Sequence, residues 1–135
     1  MKFGLKKSKP DERDKYFQFF NYEKIPMPFQ FCLENYVVFD QGNINSCSAN
    51  SVSNQIKLSC EDMPCHVIPS RLFIYINSRM EDAEENNQIY ISDEGSSLKN
   101  VYKSILKYNI VDEKYYEYNE DNVNVFPSKN YIIWH

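Results

Sequence analysis

A chain of 135 residues has room for one domain with one core, and its 16% aromatic content, carried mainly by 11 Tyr and 9 Phe, excludes a wholly disordered polypeptide. The formal net charge of −4 argues against nucleic acid as a partner, because binding phosphate calls for a basic face. No apolar run approaches the length of a membrane span, so a membrane is not an expected partner either.

Residues 1–25 read as a flexible leader followed by an aromatic arm, and residues 26–135 as the domain proper. The leader has Lys6, Lys7 and Lys9 followed by Asp11, Glu12, Arg13 and Asp14. It lacks the apolar core of a signal peptide, which leads to the expectation of a cytoplasmic or other reducing intracellular location. Cysteines at 32, 47, 60 and 65 are too few and too uneven for a disulfide scaffold, in agreement with a reducing compartment. Phe17, Phe19, Phe20 and Tyr22 form a strip suited to packing on the body, and Pro26 and Pro28 keep the next segment extended. Tyr36–Phe39 is a short apolar run, read as a buried strand or extended segment.

Asp40-Gln41-Gly42-Asn43 is a turn signal, and Ser46 is placed to cap a helix running to about Leu58, with Ala49, Val52 and Ile56 on one stripe. After Pro64, Ser70 caps a second helix whose Leu72, Phe73, Ile76 and Met80 face inward. Glu81–Asn87 reads as a solvated acidic connection, without the ligand spacing of a calcium loop. Gly95-Ser96-Ser97 introduces a third helix, where Leu98, Val101, Tyr102, Ile105 and Leu106 show the strongest periodicity in the sequence. Asn109 fits the left-handed position after its end. The Tyr-rich tail, flanked by acidic residues, reads as a packed amphipathic surface rather than a stacking platform for single strands.

The chemistry concentrates at Gln41–Cys47. A thiol attacks as thiolate, and the unpaired N–H groups at a helix start favour that anion. A side-chain amide at Gln41 and the backbone N–H of Cys47 are both able to donate to an oxyanion. The alternative for Cys47 is a buried core thiol. Cys60, Cys65, His66 and Cys32 do not have the spacing of a structural zinc site, and no Gly-rich phosphate loop is present, so no metal and no cofactor are expected.

The segment Asp40-Gln41-Gly42-Asn43-Ile44-Asn45-Ser46-Cys47-Ser48-Ala49-Asn50 resembles the active-site segment of papain-like cysteine proteases, the peptidase C1 family, in the form found in bacterial and viral members that read S-C-T/S-A-N. Further segments are similar to those members in the same order: the leader Pro10-Asp11-Glu12-Arg13-Asp14, the helix Pro69-Ser70-Arg71-Leu72-Phe73-Ile74-Tyr75, Asp93-Glu94-Gly95-Ser96-Ser97-Leu98, Lys107–Val111, and Tyr116-Glu117-Tyr118-Asn119 in the place of W-P-Y-D. The resemblance implies a thiol peptidase that hydrolyses peptide bonds in a peptide or protein substrate. Cys47 would be the nucleophile, Gln41 the oxyanion donor, and Gly95 part of the loop that pairs with substrate backbone. Ile44-Asn45 replaces the Cys-Gly of lysosomal members, which removes their usual disulfide. Ser48 replaces the common aromatic residue after the nucleophile, and Glu94 stands where many members have a second Gly, crowding the cleft.

The family's His and Asn lie about 130–150 residues beyond the Cys, past the end of this chain at His135. Neither His66, in a Pro-flanked loop, nor His135 has the family's His context. The expected fold is therefore mostly α, from an α+β parent: the helical lobe of a papain-like protease with the β-rich second lobe missing. Activity would need a partner, either a second chain or self-association covering the missing-lobe face, where a lost lobe exposes apolar surface. The alternative is a non-catalytic, peptidase-like remnant that binds peptides or proteins.

Overall fold

The computed structural model describes residues 4–15, 38–60 and 67–127. The Phe17–Tyr22 arm, Pro26, Pro28, Cys32, Pro64, Cys65, His66 and His135 lie outside the described residues. The chain divides into two compact units. One comprises residues 4–8 and 39–127 among those described. The other is Lys9–Val38, of which 9–15 and 38 are described. In the second unit Arg13 forks onto both carboxylate oxygens of Asp11, at 2.9 and 2.8 Å, and the Asp14 N–H closes a turn on the Asp11 carbonyl. Val38, read as part of a buried segment, is exposed and not in a strand.

The larger unit is built on three helices, α1 (Cys47–Ser59), α2 (Arg71–Glu85) and α3 (Leu98–Tyr108), with a two-residue parallel pairing of β1 (Leu5–Lys6) and β2 (Ser96–Ser97). Leu5 is opposite Ser96 and Lys6 opposite Ser97, so this part of the leader is tied into the unit. Residues 68–70 run antiparallel to 111–113, with Ser70 N–H donating to Val111 O and Glu113 N–H to Ile68 O, both at 2.7 Å. A short 3₁₀ turn follows at Glu120–Asn122. The unit is mostly helical.

The second and third helices start as their sequences dictate. The Ser70 hydroxyl accepts from the Phe73 N–H and the Ser97 hydroxyl from the Asn100 N–H. Asn109 takes φ 62° at the end of α3, while its ψ of −167° departs from the left-handed helical form expected there. The core gathers Ile44, Ala49, Val52, Leu72, Ile74, Tyr75, Ile76 and Val101, with Ile56, Ile105, Tyr116, Tyr118 and Val123 at its margin. Because α1 and α3 both pack on α2, residues 71–79 are buried on every side of that helix. Met80, expected to face inward with them, is only partly buried.

Three local expectations are corrected. Ser46 stands before α1 but has φ −93°, ψ 18° and makes no side-chain cap, because its hydroxyl is engaged elsewhere. Glu81–Glu85 is no loop: it continues α2, and the Glu81 side chain is fully buried where Lys103 and Lys107 reach it from α3, at 2.9 and 2.7 Å. On α3, the apolar stripe does not set the inward face by itself. Asn100, Val101 and Ser104 are buried, while Leu98 and Tyr102 are partly exposed and Leu106 is 86% exposed. The lysine pairs to Glu81 and the Asn100 amide, 2.5 Å from Asp82, rotate the helix toward its small and polar side.

Candidate active site

The loop before α1 closes on itself. Gly42 N–H donates to Asp40 Oδ1 at 2.9 Å in an Asx turn, and Gly42 adopts φ +62°. The Gln41 amide, partly buried, donates through Nε2 to the carbonyl of Ile44 at 3.1 Å. This fixes the plane of the side-chain amide. Nε2 carries two N–H groups, so one bond to Ile44 does not exhaust its capacity to donate.

Asn45 is held from the other side. Its N–H donates to Asp93 Oδ1 at 3.0 Å and its amide to the Asp93 carbonyl at 2.6 Å. The Tyr75 hydroxyl donates to the same Asp93 oxygen at 2.5 Å and accepts from Gly95 N–H at 3.0 Å. Burial, and then the adjacent Asp93 carboxylate, push the Tyr75 phenol well above its ordinary pKa, so it remains a donor. Asp93 thus ties the approach to Cys47 to the loop that carries Gly95.

Cys47 is the first residue of α1, a free thiol with partial exposure. Its flanks, Ile44–Ser46 and Ser48–Asn50, are all buried, so in this segment only Cys47 reaches solvent. Ser48 explains part of that anchoring. Its hydroxyl lies 2.9 Å from Ser96 Oγ, which also receives Ser78 Oγ at 2.9 Å. A small polar residue after the cysteine thereby joins the start of α1 to β2 and α2.

Two residues quoted above only as parts of motifs prove central. Arg71 pairs with Glu113 through Nε and Nη2, at 2.9 and 2.6 Å, and donates through Nη1 to the Asp40 carbonyl at 3.0 Å and to Asn50 Oδ1 at 3.3 Å. Its guanidinium lies over the rings of Phe39, at 4.4 Å, and Tyr118, at 3.9 Å. Tyr118 Oη donates to the Gln41 carbonyl at 2.8 Å and lies 2.5 Å from Ser46 Oγ. Burial raises the pKa of this phenol, against the opposing bonds to Ser46 and Asn50 and the Arg71 charge. An Arg after a helix cap and a Tyr in a loop carry no local signal of what they grip, so sequence reasoning assigned them no role.

Gly95 sits at φ +85°, with the Gly4 carbonyl packed against its Cα. Its N–H is occupied by Tyr75, which leaves its carbonyl as the group able to pair with another backbone. Gln41 is thus tied through the Ile44 carbonyl to the buried Ile44–Ser46 link that leads into Cys47, and Gly95 is tied to the same link through Tyr75, Asp93 and Asn45. No histidine is among the described residues, and those residues contain no group of three or more side chains able to hold a metal ion. No helix among them is long and apolar enough to cross a membrane.

No protein-family profile matches the chain. The chain is 29% identical over 151 residues to an uncharacterized peptidase C1-like protein, L477, of Acanthamoeba polyphaga mimivirus, covering 93% of this chain and 45% of the viral protein. Its structure is similar to that of xylellain, a cysteine protease from Xylella fastidiosa, with a TM-score of 0.51 and 27% identity over 72% of this chain and 37% of xylellain. The chain therefore spans less than half the length of either relative. In both sequence and fold it bears a papain-like, peptidase C1 relationship, and the three α-helices among the described residues are consistent with the helical lobe of that fold.

Proposed function

We propose that this chain supplies the nucleophile half of a cysteine peptidase. Cys47 attacks the carbonyl carbon of a peptide bond, forming a C–S bond and a tetrahedral oxyanion. That oxyanion receives hydrogen bonds from the Gln41 amide and the Cys47 N–H. The C–N bond then breaks as the leaving amine takes the proton that the Cys47 thiol gave up to the general acid–base residue, and water hydrolyses the thioester, breaking the C–S bond to release the carboxylic acid and restore the thiol. Gly95 pairs with the substrate backbone through its carbonyl. The acid–base residue and its orienting group come from outside the described residues, in a second lobe or a second chain seated against the Cys47 end of α1. The observation that carries this reading is the thiol at the first position of α1, accessible while every neighbour in Ile44–Asn50 is buried.

Mass spectrometry of the chain joined by the second lobe or second chain that supplies the acid–base residue, and treated with a peptidyl vinyl sulfone or epoxide, tests the reading. The expected result is one adduct, at Cys47, formed faster than on free cysteine and absent from Cys47→Ala. Labelling no faster than that of free cysteine overturns it. Retention of a peptide or protein partner by both forms, without an adduct, assigns the non-catalytic binding role instead.

A further inference from the structure

We infer that Tyr118 is a positioning residue for Gln41, the end of a buried hydrogen-bond relay that starts at Arg71 and orients the oxyanion donor; this rests on the peptidase reading above. The direction of every bond in the relay is fixed by chemistry. A carbonyl only accepts, so the single proton of Tyr118 Oη goes to Gln41 O, at 2.8 Å. The 2.5 Å contact between Tyr118 Oη and Ser46 Oγ must then be donated by Ser46. Having spent its proton, Ser46 Oγ accepts from Asn50 Nδ2 at 2.8 Å. Asn50 presents its nitrogen to Ser46 because its oxygen accepts from Arg71 Nη1 at 3.3 Å, and a guanidinium has no acceptor to offer in exchange. Arg71 Nη1 also donates to the Asp40 carbonyl, at 3.0 Å.

Two consecutive carbonyls, those of Asp40 and Gln41, are thus gripped by Arg71 and Tyr118, whose guanidinium and ring lie 3.9 Å apart. Ser46 and Asn50 are buried, so water does not compete for these bonds. The backbone of Gln41 is held from one side by Tyr118, and its side-chain amide from the other by the Ile44 carbonyl. With both ends fixed, the remaining N–H has one direction to point. A preorganised donor is what oxyanion stabilisation requires, because a mobile amide would lose orientational freedom in the transition state.

The test compares wild type with Tyr118→Phe, which removes the donor and keeps the ring over Arg71, and with Ser46→Ala, which breaks the relay one step earlier. Two readouts are taken on the full chain. The first is the NMR signal of the Gln41 side-chain amide, assigned by its loss in Gln41→Glu. It is expected to be dispersed and ordered in wild type and averaged in both variants. The second is Cys47 chemistry with a dipeptidyl aldehyde, whose adduct places oxygen in the oxyanion site, set against iodoacetamide, whose substitution does not. Aldehyde affinity is expected to fall about tenfold or more, while the iodoacetamide rate stays within about twofold. A Gln41 signal unchanged in both variants overturns the relay, whatever the reactivity. A wild type that does not bind the aldehyde even with the second lobe or second chain present overturns the peptidase reading, and the Gln41 signal still decides the relay. If Tyr118→Phe fails to fold, Ser46→Ala carries both readouts.

Discussion

The Cα of Gly95 is packed so tightly against the backbone of Gly4 that a Cβ there would lie 1.7 Å from the Gly4 carbonyl oxygen. The obstacle is backbone, and Gly95 also holds φ +85°, which side chains resist. Gly95→Ala is expected to cost about 3 kcal/mol or more in urea unfolding, combining backbone strain with the parting of β1 from β2. Gly42→Ala is the control: its Cβ would meet the movable Glu120 carboxylate, and the expected cost is nearer 1 kcal/mol. Equal losses in the two variants would show that the Gly4 contact does not matter.

Glu81 supplies a pH-dependent contribution. Burial pushes its carboxyl pKa up, but the bonds from Lys107 and Lys103 outweigh burial and hold it below the usual value of 4.5. The stability it contributes is present above that value and is lost as pH falls through the lower folded pKa. Replacing both lysines, Lys103→Met with Lys107→Met, leaves burial unopposed and the sign reverses. The double variant is expected to lose about 3 kcal/mol at neutral pH and to recover part of that deficit under mild acid, as the stranded carboxyl takes up a proton. Denaturant midpoints across the acid range would show the deficit narrowing; a constant deficit would mean that Glu81 is not the buried charge.

Asp82 behaves in the opposite sense. Burial raises its carboxyl pKa and the neighbouring Glu85 adds to the rise, against the Asn100 amide, the Lys6 charge and the Ser97 backbone. A raised carboxyl destabilises the fold as pH climbs from its unfolded value through its folded one. Asp82→Asn keeps an oxygen for the Asn100 amide and removes the charge. Thermal melts should show a higher midpoint at pH 7 and a flatter profile between about pH 4 and 7. A lower midpoint at pH 7 would count against this.

Arg71→Lys keeps the charge and loses the fork to Glu113, along with the planar contact to Phe39 and Tyr118. The expected loss is about 2 kcal/mol in chemical denaturation, because an ammonium reproduces neither feature. A loss under about 0.5 kcal/mol would mean that charge alone suffices at this position.

What could be read from the sequence divides by distance along the chain. The Ser70 cap is local, since its hydroxyl meets an N–H three residues on, and it formed as the pattern required; Ser97, in the segment read as introducing α3, caps in the same local way. Ser46 has the same local pattern and fails to cap, because Tyr118, 72 residues away, takes its hydroxyl. Glu81–Glu85 looked like solvated loop because its neutralising lysines lie on another helix. The lineage of the segment around Cys47 was legible because several short motifs fall in order. The grip of Arg71 and Tyr118 on Asp40 and Gln41 was not, because no periodicity or turn rule links residues so far apart.

The separation of 77 residues between Gln41 and the Tyr118 hydroxyl imposes an order of assembly. The entropy of closing so long a loop grows only slowly with its length, so the bond is thermodynamically accessible once both partners exist. During synthesis they do not exist together. A nascent chain that has emerged only through α3 already carries Cys47, while the carbonyl of Gln41 still has no phenol to meet. The thiol is therefore made long before its neighbourhood is finished, and a polypeptide interrupted before Tyr118 carries Cys47 without the phenol that holds the Gln41 carbonyl.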